Sequence, residues 1–185
     1  MDDWDSVSGQ WDVADGELVQ SDVATSAMRA LVGQDDWTDY NIKCKIMITQ
    51  GSYTGVAFRA VSDLEYYVFY MNANENMVEL WQHTGPGDTD RVQVFKHVPQ
   101  GGVTIVADEW LEVEVNVEDT SAQFYVNGEL QDEVDSLTLE NGKVGAWAWT
   151  TAVNFDDFEI SGPGIPEAPV EPAGKLPMTW GQIKE

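Results

Sequence analysis

The stretch Trp110-Leu111-Glu112-Val113-Glu114-Val115-Asn116-Val117 alternates with a period of two: Leu111, Val113, Val115 and Val117 fall on one face, Glu112, Glu114 and Asn116 on the other. In an extended chain successive side chains point to opposite faces, so this pattern makes a half-buried β-strand; a helix would scatter the same valines around its axis. The same period recurs on either side, in Met28 to Val32, Tyr40 to Thr49, Thr54 to Ala60, Glu65 to Asn72 and Met77 to His83. It continues in Arg91 to Val98, Ala122 to Asn127, Val144 to Thr150 and Val153 to Ile160. Turn residues separate the runs: Asp15-Gly16, Gly85-Pro86-Gly87-Asp88, Asn127-Gly128 and Asn141-Gly142. Asn-Gly suits a two-residue hairpin, whose two central residues both need positive φ. No segment sustains a period of 3.6 over three turns. The pattern predicts an all-β antiparallel sandwich or barrel.

The chain has 185 residues, enough for one domain of ordinary size, and its 43% hydrophobic content can fill a core. Against 33 Asp and Glu stand 9 Lys and Arg, a formal charge of -24. Such a surface repels phosphate backbones and anionic headgroups, so nucleic acid and membrane insertion are not expected. It suits divalent cations, basic partners and neutral ligands, and it favours solubility. The single cysteine, Cys44, excludes an intrachain disulfide, and its phase with Ile42, Ile46 and Ile48 marks it as a buried small hydrophobe. No apolar run reaches the length of a membrane helix, and no basic n-region precedes an apolar core. A secreted or cell-surface protein is expected, with its export signal absent from this chain.

Composition changes at Ser161. Residues 162–174 carry Pro163, Pro166, Pro169 and Pro172, a three-residue spacing that favours an extended, polyproline-like spacer. Residues 175–185 are apolar again, with Leu176, Met178, Trp180 and Ile183 bracketed by Lys175 and Lys184. Such a strip can add to a sheet or lie in a groove of another copy, giving a homo-oligomer or a filament; equally, it can fold back on its own acidic body.

Several motifs in order resemble the concanavalin A-like lectin/glucanase superfamily, in its laminin-G-like bacterial jelly-roll branch of keto-disaccharide hydrolase-like and carbohydrate-binding-module-like domains. They are Trp11-Asp12-Val13-Ala14-Asp15-Gly16-Glu17-Leu18, Trp37-Thr38-Asp39-Tyr40, and above all Gly55-Val56-Ala57-Phe58-Arg59-Ala60-Val61-Ser62-Asp63-Leu64-Glu65-Tyr66-Tyr67-Val68-Phe69. Trp110 to Val113, Phe124-Tyr125-Val126-Asn127-Gly128, Gly142 to Trp147 and Asn154 to Ile160 complete the set. The resemblance implies a two-sheet jelly-roll sandwich over residues 1–161, followed by the Pro-rich tail.

In that family sugars lie across one concave sheet face on aromatic platforms. The residues here with the right phase are Tyr66 and Tyr70, Trp81 and His83, and Trp147 and Trp149, with Arg59 and Asn72 as polar partners. If Val144, Ala146 and Ala148 face inward, Trp147 and Trp149 face outward; the alternative is that these aromatics simply fill the core. The resemblance also implies a structural Ca²⁺ held by Asp156 or Asp157 with Asp12 and Asp15, a cation that takes about six to eight oxygen ligands. The related glucanases place catalytic carboxylates at alternating strand positions, a phase that Glu112 and Glu114 share. Side chains two apart on a strand are about 6.5–7 Å apart, and retaining glycosidases need about 5–5.5 Å between carboxyl groups. Asn116 stands where that pattern has a third acid. The expected function is that of a non-catalytic carbohydrate-binding or adhesion module, with a self-assembling surface or filament subunit as the rival and a glycoside hydrolase as the weakest alternative.

Overall fold

The period-two runs become strands that pair edge to edge into two antiparallel sheets of seven. The computed structural model describes residues 4–87 and 89–165. In chain order the first strands are β1 (Asp5–Ser8), β2 (Trp11–Ala14), β3 (Glu17–Gln20), β4 (Met28–Val32), β5 (Tyr40–Gln50), β6 (Tyr53–Ala60) and β7 (Glu65–Asn72). They are followed by β8 (Met77–Thr84), β9 (Arg91–His97), β10 (Leu111–Glu118), β11 (Ser121–Val126), β12 (Glu129–Val134), β13 (Lys143–Trp149) and β14 (Ala152–Ser161). One sheet has the order β1-β4-β13-β6-β7-β8-β9, the other β12-β11-β10-β5-β14-β3-β2. The expected all-β, two-sheet sandwich is what forms.

The inner faces follow the alternation. Leu111, Val113, Val115 and Val117 of β10 are buried beside Tyr40, Ile42, Cys44, Ile46 and Ile48 of its partner β5. Opposite them the other sheet contributes Phe58, Tyr67, Phe69, Met71, Val78 and Leu80. The two layers meet ring to ring, with Phe69 of β7 at 4.9 Å from Phe124 of β11. Burying each such side chain is worth about 1.5–3 kcal/mol, so one complete core holds the sandwich together.

Two turns form as the sequence specifies. Asp15 (φ 55) and Gly16 (φ 88) join β2 to β3, and Asn127 (φ 52) and Gly128 (φ 77) join β11 to β12, each a two-residue loop with both residues left-handed. Asn141-Gly142 differs. It ends a crossover into β13, and a Cβ on Gly142 would meet the Ala60 backbone at 2.6 Å, so glycine serves close approach there. The period-two runs also pass over β1, the β2–β3 hairpin and, last, β12. The latter, Glu129 to Val134, is an edge strand with only Gln131 buried, and its charges discourage pairing with other chains.

Ile165 packs against the core. Residues 166–174 of the expected spacer, and Leu176, Met178, Trp180 and Ile183 after them, lie outside the described residues. Cys44 sits in the core as expected, and burial pushes its thiol far above the ordinary value. Iodoacetamide at pH 8 should therefore leave Cys44 unmodified in the native protein and alkylate it completely in concentrated guanidinium chloride, as read by intact mass. Native alkylation at the denatured rate would contradict this placement.

Candidate functional site

The sheet β1-β4-β13-β6-β7-β8-β9 is also apolar on its outer face. Leu31, Ala57, Ala60, Tyr66, Val68, Tyr70 and Trp147 form a second buried cluster there, bordered by Tyr53, Trp81 and Trp149. Val144, Ala146 and Ala148 of β13 enter the main core, which turns Trp147 and Trp149 outward. Outward is not the same as exposed: Trp147 is only 1% accessible, because the rings cover one another. Tyr70 and Trp147 stack at 5.2 Å, Trp147 and Trp149 lie 6.2 Å apart, and Tyr66 stacks on His83 at 4.5 Å.

A glycine makes this layer possible. Gly55 of β6 is opposite Tyr70 on one side and Trp147 on the other, so the two rings lean over a strand position that has no side chain. A Cβ there would lie 2.0 Å from the Phe69 carbonyl oxygen and 2.7 Å from Tyr70 Cβ.

Two recesses open in this face, one on each side of Trp149. The first, about 260 Å³, is lined by Tyr53, Tyr70, Trp81, Trp147 and Trp149, with Glu79, Arg91 and Lys96 as its charged groups. Glu79 is 2% exposed, and donors surround its carboxylate. Oε2 accepts from the Tyr70 hydroxyl at 3.0 Å and Trp81 Nε1 at 2.9 Å; Oε1 accepts from Asn72 Nδ2 at 3.4 Å and lies 3.2 Å from Lys96 Nζ. Burial, and then the Glu79 charge, push the Tyr70 phenol far up, so it stays the donor in that pair. Arg91 extends across the platform, 4.6 Å from the Trp81 ring and 5.1 Å from that of Trp149.

The second recess, about 230 Å³, is lined by Ser8, Ser26, Arg29, Asp63, Tyr66, His83, Trp149 and the backbone of residues 85–87. Arg29 lies 4.9 Å over the Tyr66 ring; its Nη1 donates to the Ala27 carbonyl and, at 3.1 Å, to the Tyr66 hydroxyl. His83 is held down to about 4 by burial first, and then by Arg91 and Arg29. Its imidazole is neutral at physiological pH.

Tyr66, Tyr70, Trp81, His83, Trp147 and Trp149 thus share one face, and Asn72 joins them through Glu79. Arg59 does not. A bulge against β13 between Lys143 and Gly145 interrupts the alternation, and Arg59 adopts φ 49. Its guanidinium turns to the carbonyls of Leu139 (3.0 Å), Asp119 (2.7 Å) and Glu140, where it ties the crossover to the β10–β11 turn. Sequence reasoning passed over Glu79, Arg29, Arg91 and Lys96. Glu79 was legible, since it shares the phase of Trp81 and His83; Arg29 is the one charge inside Met28 to Val32. Lys96 was not legible. A bulge between Leu80 and Trp81 moves the register from Trp81 opposite Gln93 to Glu79 opposite Lys96, which brings residues 91 and 96 to one face despite their odd spacing.

Glu112 and Glu114 stand on the outer face of the other sheet, opposite Lys45 and Lys43. Glu114 accepts from Asn41 Nδ2 at 2.6 Å and lies 3.5 Å from Lys43 Nζ, an arrangement of solvated alternating charge. Asp12, Asp15, Asp156 and Asp157 do not gather: among the described residues no group of three or more His, Cys, Asp or Glu side chains is placed to hold a metal ion. Two strand-to-strand spacings separate β2 from β14, and Asp157 is paired with Lys45 at 2.8 Å.

A family described as the 3-keto-alpha-glucoside-1,2-lyase-like domain matches residues 1–161. No curated protein matches. Among solved structures, the carbohydrate binding module CBM66 from Bacillus subtilis superposes with a TM-score of 0.75 at 14% identity, covering 86% of this chain and 95% of that one. A Parabacteroides distasonis ATCC 8503 protein to which glycosyl hydrolase activity is ascribed gives 0.62 at 14% identity, covering 86% and 88%. The galectin LEC-6 of Caenorhabditis elegans gives 0.50 at 11% identity, covering 82% and 100%. At these identities the likeness is one of fold.

Gly55→Ala should destabilise the protein by about 1–3 kcal/mol, the range for forcing an extra methyl into a packed site, as measured by denaturant unfolding. An unchanged midpoint would mean that the rings do not depend on the gap. The fold favours neutral His83, whose neighbours are Tyr66 of β7, Trp147 of β13, the cations Arg29 of β4 and Arg91 of β9, and Asp63 at the recess rim. Its contribution to stability is therefore present above about pH 6.5 and is lost as pH falls towards 4. An NMR titration of the His83 ring should give a midpoint near 4, and a midpoint near 6.5 would contradict its burial.

Proposed function

This chain belongs to the 3-keto-alpha-glucoside-1,2-lyase-like domain family, and on that premise we propose that the outer face of the β4-β13-β6-β7-β8-β9 region binds carbohydrate without transforming it. The observation that carries this reading is the aromatic layer around a buried carboxylate. A sugar ring has an apolar C–H face, which stacks on indole or phenol, and a rim of hydroxyls, which need fixed donors and acceptors. Trp81, Trp149 and Tyr53 are the half-buried rings at the edge of the first recess, and Glu79 with its donors is the polar group beneath them. The support that CBM66 and the galectin lend is that the same sandwich serves carbohydrate binding in those proteins.

The competing reading is catalytic, since the family's description names a lyase and several fold neighbours are described as hydrolases or lyases. Two groups on this face have acid-base chemistry. Both carboxylate oxygens of Glu79 already accept hydrogen bonds or lie beside the Lys96 ammonium. His83 Nε2 is buried with no hydrogen-bond partner, and no hydrogen bond from a described residue orients the ring. A general base needs contact with the proton it removes and usually a partner that holds its tautomer. Binding is the chemistry this arrangement supports. The charge of -24 accords with a soluble module.

A glycan array should show binding that falls roughly 30-fold in Trp149→Ala and in Trp81→Ala, the effect of removing a hot-spot aromatic worth about 2 kcal/mol. Glu112→Gln should bind as the unaltered protein does. No glycan signal, or equal signal from the Trp variants with intact circular dichroism, would remove the proposal. Turnover of a 3-keto-α-glucoside lost in His83→Asn would replace it with the catalytic reading.

A further inference from the structure

Within a chain of net charge -24, the aromatic face carries two arginines, Arg29 and Arg91, that pair with no carboxylate among the described residues. Arg91 is part-exposed and lies between tryptophans. Arg29 is only 8% exposed. A guanidinium withdrawn from water is costly unless an anion or several acceptors meet it. Here one nitrogen, Nη1, serves two acceptors, and Nε is buried with none. Beside it His83, 5% exposed, has its buried Nε2 unpartnered, and the imidazole cannot supply negative charge. Both side chains line the second recess, with the hydroxyls of Ser8 and Ser26. The recess thus has at its wall a largely buried cation that no carboxylate pairs among the described residues, with exposed Asp63 as its one lining acid.

We infer that this second recess receives an anionic substituent carried on a sugar, a carboxylate or a sulfate ester, with Arg29 as its principal partner. The inference rests on the carbohydrate-binding reading and gives it a direction. One ring of the glycan stacks on Trp149 towards Glu79, where a hydroxyl rather than an anion is accepted, because Glu79 is itself negative. The next ring brings its anion to Arg29 on the other side of the same tryptophan. Asp63 is the opposing charge. It lies at the recess rim and is exposed, so water screens it more than it does Arg29. The general negative charge of the protein slows approach of an anion over distances beyond the screening length, while the contact itself is decided locally.

Calorimetric titration can test this with three probes on one backbone: a glucuronate-terminated oligosaccharide, its carboxyl-reduced form ending in glucose, and the 6-O-sulfate ester of the latter. At least one anionic form should bind at least about tenfold more tightly than the neutral form, the usual gain for a charge-assisted hydrogen bond. The preference should vanish in Arg29→Gln, persist in part in Arg29→Lys and grow in Asp63→Asn. A preference confined to the carboxylate or to the sulfate assigns the anion. Because the probe comparison is made on the unaltered protein, it stands even where Arg29→Gln unfolds. Equal or tighter binding of the neutral form would overturn the inference and leave carbohydrate binding intact. So would a preference that survives Arg29→Gln in a folded protein. Absence of binding to all three, together with a blank glycan array, would overturn both.

Discussion

Tyr70 and Trp147 come from strands that do not touch, and their rings stack because the strand between them has Gly55 where a side chain would stand. The outer aromatic layer follows from that gap. Trp147 closes over the middle of the sheet, Tyr66 and His83 pair beside it, and Trp149 is left as the ridge between two recesses. A sheet with only one dry face needs only one apolar set. This one is dry on both faces, which is why β4, β6, β7 and β13 are buried along almost their whole length while β10 alternates.

Burial on the outer face brings an electrostatic consequence. A carboxylate at 2% exposure is tolerable only with its donors in place, and Tyr70, Trp81, Asn72 and Lys96 supply them to Glu79. These donors include two of the platform rings, so the network that satisfies the charge also fixes Tyr70 and Trp81 in orientation. Arg29 has less: Nη1 meets the Ala27 carbonyl and the Tyr66 hydroxyl, Nε is buried without a partner, and no carboxylate pairs with it among the described residues. The same sheet thus presents a satisfied anion at one recess and an unsatisfied cation at the next.

Much of this was legible along the chain because strand geometry is local. The alternation of Leu111 to Val117 predicts its inward valines, the triplet of Val144, Ala146 and Ala148 predicts outward tryptophans, and Asp15-Gly16 and Asn127-Gly128 predict their turns. Where a bulge changes the count, the reading fails. Arg59 has the phase of the platform and points elsewhere; Lys96 has the opposite phase and points in. The four aspartates do not gather, for another reason. Acid-rich turns are frequent in a chain with 33 acids, and proximity in a motif says nothing about distance across strands.

The class of fold, the inward set of each regular strand, the burial of Cys44 and the net charge of -24 are all written along the chain. Those properties depend on period two and on composition, which are written residue by residue. Which outward residues meet depends on how the strands are ordered in the sheet. The recesses combine side chains from β1, β4, β6, β7, β8, β9 and β13, brought together by strand order and by the bulge between β8 and β9. Strand order is set by packing across the whole sandwich, and no local pattern encodes it.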